Sequence, residues 1–158
     1  MVRDFAGRQL SRLTQFWRQR NLCLFPFQIL LRKGKMLTVK QVSNHFGLRP
    51  DTIRRKARAG EISCIRIGRA YRFDWPDVWS CEDGPMPKGA MSARYQVPLL
   101  SKKQIAWSLQ VSVRTVDRWL DEGLATRNVF GAVRCNPDDV AGWLRMRKEV
   151  TLFPDWWQ

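Results

Sequence analysis

The chain repeats itself, and that repeat limits its possible folds more than any other feature. Displaced by 63 positions, Leu37 falls on Leu100, Thr38 on Ser101, Lys40 on Lys103, Gln41 on Gln104 and Val42 on Ile105. The same displacement puts Leu48 on Val111, Thr52 on Thr115, Ile53 on Val116, Arg55 on Arg118 and Gly60 on Gly123. After a one-residue deletion the displacement is 62, and Arg72 falls on Arg134, Asp74 on Asn136, Asp77 on Asp139 and Val78 on Val140. Apolar and turn positions recur in one order over about forty residues, which marks one supersecondary unit used twice. A chain of 158 residues has room for two such small units.

Each unit reads the same way locally. Thr38-Val39-Lys40-Gln41 and Ser101-Lys102-Lys103-Gln104 fit capping boxes that open a short helix. Val42 and Phe46 face inward on the first such helix, Ile105 and Leu109 on the second. Gly47 suits the tight turn that follows; Gln110 stands at the matching place and is less suited if positive φ is needed there. A second helix begins at Pro50, which loses nothing at a first helical position, or after Ser112, a good N-cap. Its inner positions are Ile53 and Ala57, or Val116 and Leu120, and Gly60 or Gly123 ends it. Ile65 to Phe73 alternates around Gly68-Arg69 as a hairpin does, and Ala125 to Cys135 does so around Gly131. Asp74-Trp75-Pro76 and Asn136-Pro137 then open a third helix, carrying Val78 or Val140, Trp143 and Leu144. The order is helix, turn, helix, hairpin, helix. The expected fold class is therefore mainly α with small β-hairpin wings, as tandem winged helix-turn-helix domains.

The expected boundaries are a basic extension over 1–35, a first domain over 36–80, a linker over 81–98, a second domain over 99–149 and an aromatic tail over 150–158. The linker contains Gly84, Pro85, Pro87 and Gly89, and extended it would reach roughly 60 Å. In the extension, the apolar run Leu22–Leu31 is too short to span a bilayer, which takes about 20 residues. The extension reads either as an amphipathic arm that packs on the body or touches DNA, as a membrane-surface segment, or as untranslated or disordered sequence ahead of Met36; the last is preferred. In the tail, Leu152, Phe153, Trp156 and Trp157 are expected to pack on the second domain.

Lys and Arg number 28 against 14 acidic residues, a formal net charge of +14. The net charge is +7 over residues 1–35, +5 over 36–81, zero over 82–99 and +3 over 100–149. An excess of this kind favours a polyanionic partner, nucleic acid before membrane. Cys23, Cys64, Cys81 and Cys135 form no close pairs, and His45 is the only histidine, read here as a partly exposed structural residue. A tetrahedral zinc site is not expected, and idle thiols in a reducing cytoplasm are. No nucleophile–base pair, phosphate-binding glycine loop or catalytic carboxylate pair stands out, so neither enzymatic activity nor a cofactor is expected.

Several stretches have the look of one family. Leu37-Thr38-Val39 through Arg54-Arg55, Gly60-Glu61-Ile62, Arg66-Ile67-Gly68-Arg69, Tyr71-Arg72-Phe73 and Asp77-Val78 resemble the excisionase and MerR-like winged-helix family, as does Ser112 through Trp119. Two departures stand out: Lys56 occupies the place of Trp119, and the second hairpin has Phe130-Gly131 where the first has Gly68-Arg69. No long coiled coil follows either unit, unlike a full-length MerR-type regulator.

The resemblance implies a recognition helix entering the major groove. On the first such helix Asp51, Thr52, Arg55 and Arg58 point outward, with Arg54 at the flank; on the second Arg114, Thr115, Arg118 and Asp121 do. Phosphate contacts are expected from Arg54, Lys56, Lys102 and Lys103. The wing arginines Arg66, Arg69 and Arg72 are expected to reach the backbone or minor groove. The implied activity is sequence-specific binding of double-stranded DNA in the bacterial cytoplasm, on the nucleoid, as an excisionase-like architectural factor or a transcription regulator of a phage or mobile element. A recombinase or RNA polymerase and self-association on DNA are the further partners considered, with no membrane. The competing expectation is the DNA-recognition subunit of a phage packaging complex, its second domain docking protein.

Overall fold

The computed structural model describes residues 36–158, so the readings of the 1–35 extension lie outside the described residues. In the first lobe, strand β1 (Leu37–Thr38) leads into α1 (Val39–Phe46) and α2 (Pro50–Arg58). Strands β2 (Ile65–Ile67) and β3 (Ala70–Phe73) form a hairpin, and α3 (Trp75–Trp79) closes the lobe. A connector holds β4 (Glu82–Asp83) and the short helix α4 (Met91–Arg94). The second lobe follows with α5 (Lys102–Ser108), α6 (Val113–Asp121), the hairpin β5 (Arg127–Val129) and β6 (Ala132–Arg134), and α7 (Pro137–Lys148).

The local chemistry recurs from lobe to lobe. Thr38 Oγ1 accepts from the Gln41 amide at 3.3 Å, and Gln41 Oε1 accepts from the Thr38 amide at 2.9 Å. Ser101 and Gln104 make the same two bonds at 3.3 and 2.9 Å. Helix α1 ends with the Gly47 amide on the Asn44 carbonyl and the Leu48 amide on the Ser43 carbonyl, the Schellman pattern. Helix α5 ends identically through Gln110 and Val111. The residue that turns the chain has φ of 60° at Gly47 and 53° at Gln110, so the second lobe forces a side chain into the left-handed region.

The cores follow from the same periodicity. Val42, Phe46, Ile53, Ala57, Ile62, Phe73 and Val78 are buried together in the first lobe. Ile105, Val116, Trp119, Leu124, Cys135, Val140 and Leu144 are buried together in the second. Leu152, Trp156 and Trp157 of the tail pack on that second core, whereas Phe153 stands exposed.

The connector differs from the open tether expected of it. Trp79 Nε1 of α3 donates to the Tyr95 carbonyl at 3.0 Å, and the Tyr95 hydroxyl reaches both carboxylate oxygens of Asp139 on α7 at 3.2 Å. Strand β4 lies antiparallel beside β5, pairing Glu82 with Val129 and Asp83 with Asn128. The second sheet therefore runs β4-β5-β6, against β1-β3-β2 in the first. Leu99 and Leu100 are neighbours in an extended stretch, so their side chains leave on opposite sides. Leu99 enters the first core and Leu100 the second. A connector held at these points cannot extend, which corrects the argument from a 60 Å reach.

Candidate nucleic-acid interface

Helix α2 rests on the core through Ile53 and Ala57, and that fixes which side chains face away. Asp51, Arg54, Arg55 and Arg58 are exposed and Thr52 is half-buried. Arg54 Nη1 is bonded to Asp51 Oδ1 at 2.5 Å, which neutralises one cation of the row. Arg55 and Arg58 pair with no carboxylate among the described residues. The last turn of the helix thus carries two unpaired guanidinium groups.

The first hairpin adds to this charge. Gly68 sits at φ 60° at its tip, and nothing lies within 4 Å of where a Cβ would stand, so the tip projects into open space. Arg66 and Arg69 are exposed there, and Arg66 Nε turns back to the Gly68 carbonyl at 3.1 Å, bringing its guanidinium to the tip. Arg72 lies lower, half-buried, donating to the Tyr71 carbonyl at 3.0 Å.

The second lobe presents a different surface. Arg114 and Lys103 are exposed, with no carboxylate partner among the described residues. Arg118 is 69% exposed but stands 3.7 Å from Glu122 Oε1. The Lys148 hydrogen bond, followed by nearby positive charge, holds the Glu122 carboxyl below its ordinary range, so Glu122 stays ionised beside Arg118. Lys102 is taken up by Asp117 at 2.7 Å, and the Thr115 hydroxyl by Ser112 at 2.9 Å. Two carboxylates, Glu122 and Asp117, therefore offset Arg118 of α6 and Lys102 of α5.

Lys56, expected at a phosphate, is engaged by other groups in the structure. Its ammonium is 2.6 Å from Glu61 Oε2 and 4.8 Å from the centre of the Phe130 ring, at the junction between lobes. Phe130 comes from the tip of the second hairpin and packs edge-on to Phe46, with ring centres 6.2 Å apart. That hairpin does not project as a wing. Its turn residues Phe130 and Gly131 have φ of 51° and 85°, and Val129 is buried in the first lobe's core. Arg134 completes the seam, donating to the Phe46 carbonyl at 2.8 Å and the Gly47 carbonyl at 3.2 Å, where the C-terminus of α1 carries partial negative charge.

Sequence reasoning missed what lies beneath that seam. Glu82 accepts from His45 Nε2 at 2.9 Å and from Arg127 Nη1 at 2.7 Å. The three side chains are 0%, 3% and 5% exposed in the order Glu82, His45, Arg127, so His45 is buried and not partly exposed. Arg127 also donates to the Pro85 carbonyl at 3.1 Å and lies over the Tyr95 ring at 4.2 Å. The available signal was a displaced pair of charges: Glu82 in a Gly-Pro-rich stretch, and Arg127 where a strand should be apolar.

Among the described residues no group of His, Cys, Asp and Glu is placed to hold a metal ion, and no helix is long and apolar enough to cross a membrane. Burial pushes the Cys135 thiol up to about 11, which leaves it protonated and unreactive at neutral pH. A family model described as a helix-turn-helix domain matches residues 36–74, from the start of β1 through β3. No curated protein and no solved structure matches the chain. The first lobe is thus similar to a domain type used to bind DNA, and its α1 and α2 are the helices that flank the turn.

Proposed function

We propose that this chain is a non-enzymatic, sequence-specific binder of double-stranded DNA whose first lobe makes the main grip. The observation that carries the reading is the set of unpaired cations, Arg55 and Arg58 on α2 and Arg66 and Arg69 on the hairpin, in the lobe similar to a helix-turn-helix domain. Arg55 would donate to a guanine edge and Thr52 would meet a base methyl in the major groove. Arg54, Arg66, Arg69 and Arg72 would hold phosphates or the minor groove. The recurrence of the element order supports reading the second lobe as a diverged copy of the same excisionase and MerR-like kind, its hairpin given over to the junction instead of a wing. On that reading Arg114, Thr115, Arg118 and Lys103 add a weaker second contact, and the chain acts on the nucleoid as an architectural factor or transcription regulator of a phage or mobile element, beside a recombinase or RNA polymerase.

A second reading has its own support. The same helix as Arg118 carries Asp117 and Asp121, Glu122 stands 3.7 Å from Arg118, and the second hairpin is occupied at the junction. Both features favour a second lobe that docks protein, as in a packaging complex. Selection from a random duplex library separates the two. Arg55→Ala should cost about 1–3 kcal/mol and blur one cluster of base pairs. If Arg118→Ala blurs a second cluster, both lobes read DNA; if it leaves affinity and motif unchanged, the second lobe docks protein. Binding by the wild type that is indifferent to salt would overturn the DNA reading itself, because displaced counterions drive such binding.

A further inference from the structure

The tip of the first hairpin carries an apolar side chain that the core does not use. Ile65 and Ile67 share one face of β2, and Ile65 is half-buried while Ile67 is 57% exposed. The hairpin thus extends beyond the edge of the core, and Ile67 goes with it. Its cross-strand partner is Ala70, too small to cover it. The turn between them is Gly68-Arg69; both residues are exposed, and nothing lies within 4 Å of where a Cβ on Gly68 would stand. The Arg66 guanidinium is drawn to the same tip by its bond to the Gly68 carbonyl. An isoleucine flanked by two arginines at the end of a narrow ribbon is a poor surface for water and a poor surface for another basic chain.

We propose that Ile67 is a wedge that enters a base step of the bound duplex from the minor groove, with Arg66 and Arg69 holding the phosphates or groove edges on either side. The proposal rests on the DNA reading of the first lobe and adds to it a deformation of the ligand. An apolar side chain pushed between base pairs unstacks them in part and kinks the duplex toward the major groove. The cost of unstacking depends on the step, least for flexible pyrimidine–purine steps, so Ile67 confers preference at a position where no hydrogen bond reads a base. The flanking cations supply the attraction that offsets that cost, and the open turn lets the tip enter without moving the core.

The test uses the full chain and a duplex oligonucleotide recovered by selection, carrying the fluorescent base 2-aminopurine at successive steps and a dye at each end for energy transfer. Wild type should raise 2-aminopurine emission at one step and bring the ends closer. Ile67→Ala should remove the emission change, straighten the duplex and weaken binding roughly tenfold, with the salt dependence unchanged because no cation is lost. Ile67→Leu should retain all three effects. Arg69→Ala should instead lower the slope of binding against salt by about one. Thermal unfolding of Ile67→Ala alone should match wild type, since the side chain is exposed. If wild type binds the duplex but Ile67→Ala leaves bend, emission and affinity unchanged, the wedge is overturned and the DNA reading stands. If wild type binds no duplex, both fall.

Discussion

Glu82 is the residue on which most of the junction turns. A carboxylate without exposed surface is costly to desolvate, and only close, well-bonded opposite charge compensates it. Arg127 supplies that charge at 2.7 Å, and His45 adds a hydrogen bond from Nε2, since a carboxylate can only accept. His45 Nδ1 is buried without a partner, so the ring is held from one side only. Removing Arg127 strands the carboxylate. Arg127→Met should therefore destabilise the fold by about 3–5 kcal/mol in urea unfolding, whereas replacing Glu82 and Arg127 together by Met should recover most of that loss. Equal losses in the single and double variants would mean that the guanidinium stabilises the fold through packing on Tyr95 and not through the charge of Glu82.

At the scale of elements, the two turns between paired helices form a natural comparison. Both run through the left-handed region, at Gly47 and at Gln110, and a side chain there costs about 1–2 kcal/mol. Gln110→Gly should raise stability by about 0.5–1 kcal/mol after the added flexibility of the unfolded chain is counted, and Gly47→Ala should lower it by about 1 kcal/mol. Paired chemical denaturation curves decide the matter, and a loss of stability in Gln110→Gly would mean that its side-chain bond to the Trp107 carbonyl outweighs the strain. These elements were legible in the sequence because their signals are local: Thr38 with Gln41, Ser101 with Gln104, and inward residues three or four apart. The outward row of α2 was legible for the same reason, since the inner positions Ile53 and Ala57 fix it. Strand β4 was not, because two residues carry no periodicity and Glu82 carries the wrong polarity for a buried strand. Nor was the fate of Phe130. A hairpin tip reads alike whether it meets solvent, DNA or another lobe, and its contact with Phe46 joins residues far apart in the chain. The ring contact of Lys56 was hidden by the same gap, for Phe130 arrives from the other lobe.

For the whole molecule, these contacts decide how residues 36–158 unfold. Val129 and Leu99 complete the first core although they belong to the second lobe and its approach, and Arg134 caps a helix of the first. Two lobes that share core residues and a buried charge cluster lose their stability together. Calorimetry of the full chain should show, for this part, one transition with equal calorimetric and van't Hoff enthalpies. Two separated transitions would mean that each lobe holds its core without the other. On the proposed reading in which both lobes contact DNA, α2 and α6 would arrive at one fixed spacing, so site preference would include the distance between contacts as well as their sequence.

The position of Glu82 bears on ancestry and on engineering alike. A repeat of this kind suggests cassettes that could be shuffled between genes. Here the acidic member of the cluster lies between the two lobes, with His45 in one and Arg127 in the other. A crossover placed anywhere between them hands Glu82 to one parent and leaves one of its partners with the other. Only a donor that already carries the missing histidine or arginine can supply a working half. The two lobes can thus no longer be traded separately, and each must change in company with the other.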